Sequence, residues 1–164
     1  SSYSEYTNLG SDGKFVADLY QLPVDTAFLP DFSSMTRLKE TCLRQLDIIP
    51  RDFNEGFPGV DNLVEWFGLN INFGVTIQEE GEYFFRLKSD DGSIMFVDGQ
   101  ELINNDGLHE PTSKEDVIFL TEGLHAFNIK YYQGPREALS LELFWKTPGS
   151  TVETYLPLDL VSRP

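Results

Sequence analysis

The chain has 164 residues, 40% of them apolar and 13% aromatic, enough for one domain around a real core and too apolar for a disordered chain. Acidic residues outnumber basic ones 27 to 12, for a net charge of −15; such a surface repels nucleic-acid phosphates and anionic lipid and tolerates a hard cation. The single cysteine, Cys42, excludes an intrachain disulfide and a Cys-rich zinc site, and no apolar run reaches the roughly 18 residues of a membrane-spanning helix.

In chain order, Pro30, Pro50 and Pro58 bound extended pieces of the first half. The segment Ser34–Leu46 reads two ways. Met35, Leu38, Cys42 and Leu46 lie near one face of a helix that Ser34 would cap; alternatively, two short strands flank Lys39-Glu40. Cys42, next to Leu43, reads as a small buried hydrophobe rather than a nucleophile. Phe57-Pro58-Gly59 reads as a turn, with Phe57 the best candidate for an exposed aromatic. Trp66-Phe67 opens an apolar strand running to Phe73, in which Trp66, like Trp145 further on, reads as core.

The second half is strand country. Gly74–Gln78 leads into a turn at Glu79-Glu80-Gly81. Tyr83, Phe85 and Leu87 then alternate with Phe84, Arg86 and Lys88 at the strand period of two. Asp90-Asp91-Gly92 interrupts, and Ile94 and Phe96 alternate with Met95 and Val97. Asp98-Gly99 signals a two-residue hairpin with Glu101–Ile103 as the return strand. Asn104–Gly107 opens a loop through Pro111 and Ser113. Val117–Leu120 is another strand and Glu122-Gly123 a turn. From His125 to Tyr132 the pattern places Ala126, Asn128, Lys130 and Tyr132 on one side. Gln133–Glu137 breaks it, and Ala138–Lys146 alternates Leu139, Leu141, Leu143 and Trp145 with Ser140, Glu142, Phe144 and Lys146. Pro157–Pro164 reads as an edge strand or a linker. Short strands separated by turns every 8 to 12 residues or so indicate an all-β fold, an antiparallel sandwich or barrel.

The ordered set FNEGFPG (53–59), Glu65-Trp66-Phe67, YFFRLKSDDGSIMFVDG (83–99), INNDGLH (103–109), LTEGLHAFNIKYYQGPR (120–136) and LELFW (141–145) resembles the protective-antigen fourteen-kilodalton domain family in its bacterial form. The resemblance implies an antiparallel β-sandwich or barrel over 1–164, one module of a larger multidomain protein, and it favours strands for Thr41–Ile48. Family members that are adhesins are Ca²⁺-dependent lectins. They hold the ion with adjacent aspartates, often joined by a cis peptide, and the sugar completes its coordination. Asp90 and Asp91 match those positions, and Gln133-Gly134-Pro135-Arg136 matches the second calcium loop. Other members are not lectins, so the fold alone does not settle function.

The residues themselves point the same way. Two carboxylates about 4 Å apart repel by about 4 kcal/mol at an effective dielectric of about 20, a cost that a turn does not require, since one Asp accepting backbone N–H bonds suffices. A divalent ion reverses the repulsion. Ca²⁺ takes about 6–8 oxygens. Asp90 and Asp91 offer carboxylates, Gln133 an amide oxygen, and Gly134 and Arg136 carbonyls. Vicinal hydroxyls of a hexose are suitable further ligands, with sugar contacts assigned to Asp90, Asp91, Gln133, Arg136 and His109. His109 also admits a structural role, and His125 reads as structural. Asn104, Asn105 and Asp106 read as an Asx-rich loop, with a second ion as the alternative. Neighbouring carboxylates on one turn fit ligation better than glycoside hydrolysis, which needs carboxyl groups facing each other across a bond. The expected protein is a non-enzymatic, monomeric glycan-binding module of an exported bacterial surface adhesin, with Ca²⁺ as cofactor, no nucleic acid and no membrane insertion. The alternative is a structural or protein-interaction domain of the same fold.

Overall fold

The computed structural model describes residues 6–7, 13–57, 60, 63, 65–135 and 138–164. Among the described residues thirteen strands form: β1 (Tyr6–Thr7), β2 (Phe15–Gln21), β3 (Lys39–Leu43), β4 (Asp47–Asp52), β5 (Phe67–Ile77), β6 (Gly81–Asp90), β7 (Ser93–Val97), β8 (Gln100–Asn105), β9 (Thr112–Leu120), β10 (Gly123–Gln133), β11 (Ala138–Lys146), β12 (Thr154–Tyr155) and β13 (Val161–Ser162). Short 3₁₀ turns sit at Phe32–Ser34, Phe53–Glu55 and Leu158–Leu160.

Two antiparallel sheets make a sandwich. One has the order β1-β3-β2-β5-β10-β7-β8, with β13 also on β5; the other has β12-β11-β6-β9, with β4 also on β11. The period of two explains the packing. Leu69, Ile71, Phe73 and Val75 of β5 face inward against Phe85 and Leu87 of β6 and Leu139, Leu141 and Leu143 of β11, all buried. Each such side chain contributes on the order of 1.5–3 kcal/mol by leaving water. Trp145 is buried and stacks on Tyr83 with ring centroids 5.2 Å apart, as its alternation predicts.

The helical option for Ser34–Leu46 does not form. Leu38 is more than half exposed, so that face has nothing to bury against. Instead Lys39 and Glu40 lie inside β3, which pairs with β2 from Leu19↔Lys39 to Phe15↔Leu43. The chain turns at 44–46 and enters the other sheet as β4, so 41–48 spans two sheets. Asp31, not Ser34, caps a turn here, its side chain accepting from Ser33 N. Phe57 is also a correction: it is buried, 5.3 Å from the Tyr131 ring and 6.0 Å from that of Phe67, because the turn folds its side chain back over the end of the core. The tail takes the edge-strand alternative, with Val161 opposite Val75. Asp98 (φ 51°) and Gly99 (φ 81°) both occupy the left-handed region, the hairpin geometry that the Asp-Gly pair predicts.

Candidate functional site

Asp90 ends β6 in one sheet, and β7 begins at Ser93 in the other. The acidic doublet is therefore where the chain crosses between sheets. The peptide bond joining Asp90 to Asp91 is cis. The crossing is clamped to β10: Asp91 N donates to Tyr132 O (3.2 Å) and Tyr132 N donates to Gly92 O (3.0 Å). The Tyr131 hydroxyl donates to Asp90 O at 2.8 Å. A side chain at position 92 would put its Cβ 2.6 Å from the Tyr132 ring and 2.7 Å from Asp106 Oδ1, so Gly92 is what lets the chain pass.

The Asp91 carboxylate ties three loops together. Its Oδ2 accepts from Gly134 N at 2.6 Å and its Oδ1 from His109 N at 3.1 Å. Both aspartates are buried, at 3% and 4% exposure. Burial pushes the Asp91 carboxyl above the usual carboxylate range, and the two backbone N–H bonds and the contact with Asp90 offset only part of that. Burial, and then the charges of Asp91 and Asp90, push the Tyr131 hydroxyl well above its ordinary range, so this tyrosine stays a neutral donor.

Gln133 directly precedes Gly134. It is fully buried at the end of β10, and its Nε2 donates to Pro135 O (3.2 Å) and Ala138 O (3.5 Å). Its Oε1 is buried with no hydrogen-bond partner among the described residues. An orphaned amide oxygen is costly, and it is what a hard cation accepts. Among the described residues no three His, Cys, Asp or Glu side chains group as a metal site; the available donors are a carboxylate pair, an amide oxygen and backbone carbonyls. That oxygen-only set fits Ca²⁺ better than a transition metal.

The model of the PA14 domain family matches residues 65–156, more than half of the chain and all of the site. The chain belongs to the PA14 domain family. No curated protein matches it. Among solved structures, this PA14 domain is similar to an anti-sigma factor domain-containing protein (20% identity, TM-score 0.72, covering 93% of this chain and 48% of that one), so it spans about half of that protein's length. It is similar to the PA14 sugar-binding domain from an RTX adhesin (16% identity, TM-score 0.70, 93% and 99% covered). It is also similar to the Epithelial Adhesin 9 A domain from Candida glabrata, solved in complex with Galβ1-3GlcNAc (12% identity, TM-score 0.63, 98% and 95% covered). At these identities the likeness is one of fold.

Within the PA14 domain, Asp90, Asp91, Gln133, Gly134 and the backbone of His109 come together, whereas Arg136 lies outside the described residues. The His109 ring is turned to other work: Nε2 lies 2.8 Å from Asn105 O and Nδ1 2.9 Å from Glu110 O, so it braces its own loop and brings only its N–H to Asp91. The Asx-rich loop is satisfied internally. Asn104 Oδ1 accepts from Asp106 N, Asn105 Nδ2 donates to Thr112 O, and Asp106 Oδ1 accepts from Gly107 N and Leu29 N. The Leu29 bond docks segment 23–31 beside the site, with exposed Phe28 on it. Leu108, half exposed, lies over Gly134. Sequence reasoning missed both of these and Tyr131. An inward-facing tyrosine directly before the loop was the available signal for Tyr131. Trp66 is half-buried at the mouth of β5 in a left-handed conformation (φ 53°), its N–H donating to Gly134 O at 3.0 Å.

Proposed function

We propose that this PA14 domain is a Ca²⁺-dependent carbohydrate-binding module of a larger exported surface adhesin. The observation that carries the reading is the buried Asp90–Asp91 pair tied to the loop of Gly134, which follows directly on Gln133 with its unpartnered Oε1. Asp90, Asp91, Gln133 and the carbonyls of Gly134 and Arg136 would hold the ion. When bound, Ca²⁺ supplies neutralising charge and open oxygen-coordination positions suited to vicinal hydroxyls of a hexose. Asp91 fixes the loops that frame those positions, and its remaining lone pairs would accept sugar hydroxyls, with Arg136 as the donor that the sequence offers. His109 contributes its backbone N–H to the frame, not its ring. The sugar-binding and adhesin PA14 relatives support the same reading.

Adjacent carboxylates on one buried chain crossing do not face across a scissile bond, so ligation suits them better than glycoside hydrolysis. Monosaccharide affinity through so few contacts should be millimolar, about −4 kcal/mol, with repetition of the domain in its parent protein or on a surface supplying avidity. The test is a glycan array with Ca²⁺ and with EGTA, on the native domain and on Asp91→Ala. A Ca²⁺-dependent signal, present with Ca²⁺ and lost in EGTA, is expected for the native domain and not for Asp91→Ala. No Ca²⁺-dependent signal, or one unaltered by Asp91→Ala, would leave the protein-interaction reading in its place.

A further inference from the structure

The outer face of the eight-stranded sheet carries an ordered block of amides. Cross-strand register puts Asn72 opposite Asn128 and Asn128 opposite Phe96, with Asn70 opposite Lys130 alongside. Asn128 Nδ2 donates to Asn70 Oδ1 at 2.7 Å and to Asn72 Oδ1 at 2.9 Å. This fixes the orientation of all three amides relative to one another. Asn70 Nδ2, Asn72 Nδ2 and Asn128 Oδ1 then have no partner among the described residues. Lys130 Nζ sits 5.0 Å over the Phe96 ring and makes no ion pair among the described residues, in a chain where carboxylates outnumber cations more than two to one. Asn72, Phe96, Gly99, Ala126, Asn128 and Lys130 line an open groove of about 390 Å³. It shares Asn72, Ala126 and Phe127 with a neighbouring groove of about 410 Å³ that continues past Leu124 to Arg163.

The occupant is constrained from three sides. β5, β10 and β7 are central strands there, paired on both edges, so no peptide strand can add to the sheet and recognition must come from side chains. The net charge of −15 opposes a polyanion. The groove offers preorganised neutral donors and an acceptor, one ammonium, and an apolar wall of Phe96 and Ala126, the complement of a ring with hydroxyls on its rim and C–H bonds on its face. We propose that this groove is a second saccharide site, which takes a neutral hexose unit of an extended glycan without any cation. It goes beyond the Ca²⁺ site and does not depend on it.

The test follows the side-chain amide signals of Asn70, Asn72 and Asn128 in ¹H–¹⁵N spectra, in EGTA, as cellotetraose, maltotetraose or mannotetraose is titrated in. At least one sugar should shift these signals saturably. Asn128→Ala should weaken that binding about tenfold, or roughly 1.4 kcal/mol. Lys130→Ala removes the ammonium over Phe96, which makes no hydrogen bond or ion pair among the described residues, and should also weaken it without touching the amide lattice. Asp91→Ala should leave it unchanged. No shift with any of the three sugars, or shifts that vanish in Asp91→Ala, would overturn the proposal. Loss of the Ca²⁺-dependent array signal with the EGTA titration intact would overturn only the reading of the Asp90–Asp91 site.

Discussion

Two aspartates hold loops together in this molecule, and they do so in opposite electrostatic circumstances. Asp98 closes the β7–β8 turn. Its Oδ1 accepts from Ala126 N at 2.9 Å and its Oδ2 lies 2.6 Å from His125 Nδ1, while the other His125 ring nitrogen is 2.7 Å from Thr121 O. The Asp98 side chain is half exposed, and the chain supplies its countercharge. Asp91 also takes two bonds, but both come from backbone N–H groups, its neighbour is another carboxyl, and it is buried. The first arrangement is complete with the protein's own atoms. The second buries two adjacent carboxyls with no countercharge bonded to Asp91 among the described residues, only main-chain N–H groups. That contrast is why the Asp90–Asp91 crossing, and not the Asp98 turn, is the place proposed for a cation.

The largest expected effect follows directly. Saturating Ca²⁺ should stabilise the native domain, since anything that binds only the folded state does so by mass action, by about 2.7 kcal/mol at a hundredfold excess over Kd, or roughly 5–10 °C in Tm for a chain of this size. Asp91→Asn keeps the side-chain shape and loses the charge, and it should remove the shift. Scanning calorimetry with Ca²⁺ and with EGTA reads it; equal Tm values for the native domain in the two conditions would make the Asp91 loops a clasp like that of Asp98.

A smaller effect probes the frame instead of the charge. Gly134→Ala would bring a Cβ to 2.5 Å from Leu108 Cδ2 and 3.0 Å from Asp91 Oδ2. Leu108 is half exposed and can swing away, but the carboxylate is buried and cannot, so the Gly134 N–H bond to Asp91 should lengthen or break. Stability should fall by about 1–3 kcal/mol, the cost of a buried polar group left without its partner, and Ca²⁺ uptake should weaken with it. Urea denaturation and equilibrium dialysis measure the two. Unchanged uptake would mean that the second loop plays no part in holding the ion.

How far these features were legible differs between the two halves of the chain. β10 and β11 could be read residue by residue, because inward Leu and aromatic positions alternate with polar ones between turn signals. Ser34–Leu46 could not. Thr41, Cys42 and Leu43 are buried in succession, so they show no period of two, while exposed Leu38 suggests a helical face that the fold never uses. At the site, the doublet and the Gln133 loop stood out by residue type and family pattern. The bonds that assemble them did not, because the donors at Gly134, His109 and Leu29 are main-chain N–H groups that every residue but proline carries. Phe57 was misread because turn chemistry reports the backbone path and not where the side chain packs.

The smallest expected effect tests the Asp98 side of the comparison. Burial lowers the affinity of His125 for its proton, but the bonds to Asp98 and to the Thr121 carbonyl outweigh it and raise the imidazolium above its ordinary value of 6.5. For Asp98, burial raises the carboxyl, and the bonds from His125 and Ala126 prevail, holding it below its ordinary value of 3.8. The signs set a window. The histidine's contribution is full below about pH 6.5 and is lost as pH rises through its raised folded value; the aspartate's is full above about pH 3.8 and is lost as pH falls through its lowered folded value. Between those limits both ring nitrogens donate, and above the window one of them faces an oxygen without a proton. Because Asp98 is half exposed and screened, the pair should be worth no more than about 0.5–1 kcal/mol. The stability difference between the native protein and His125→Gln, from urea denaturation at a series of pH values, should therefore be greatest near pH 5, shrink above neutrality, and diminish with added salt. A difference independent of pH would mean that the clasp is held by neutral hydrogen bonds, and the electrostatic contrast with Asp91 would lose its reference point.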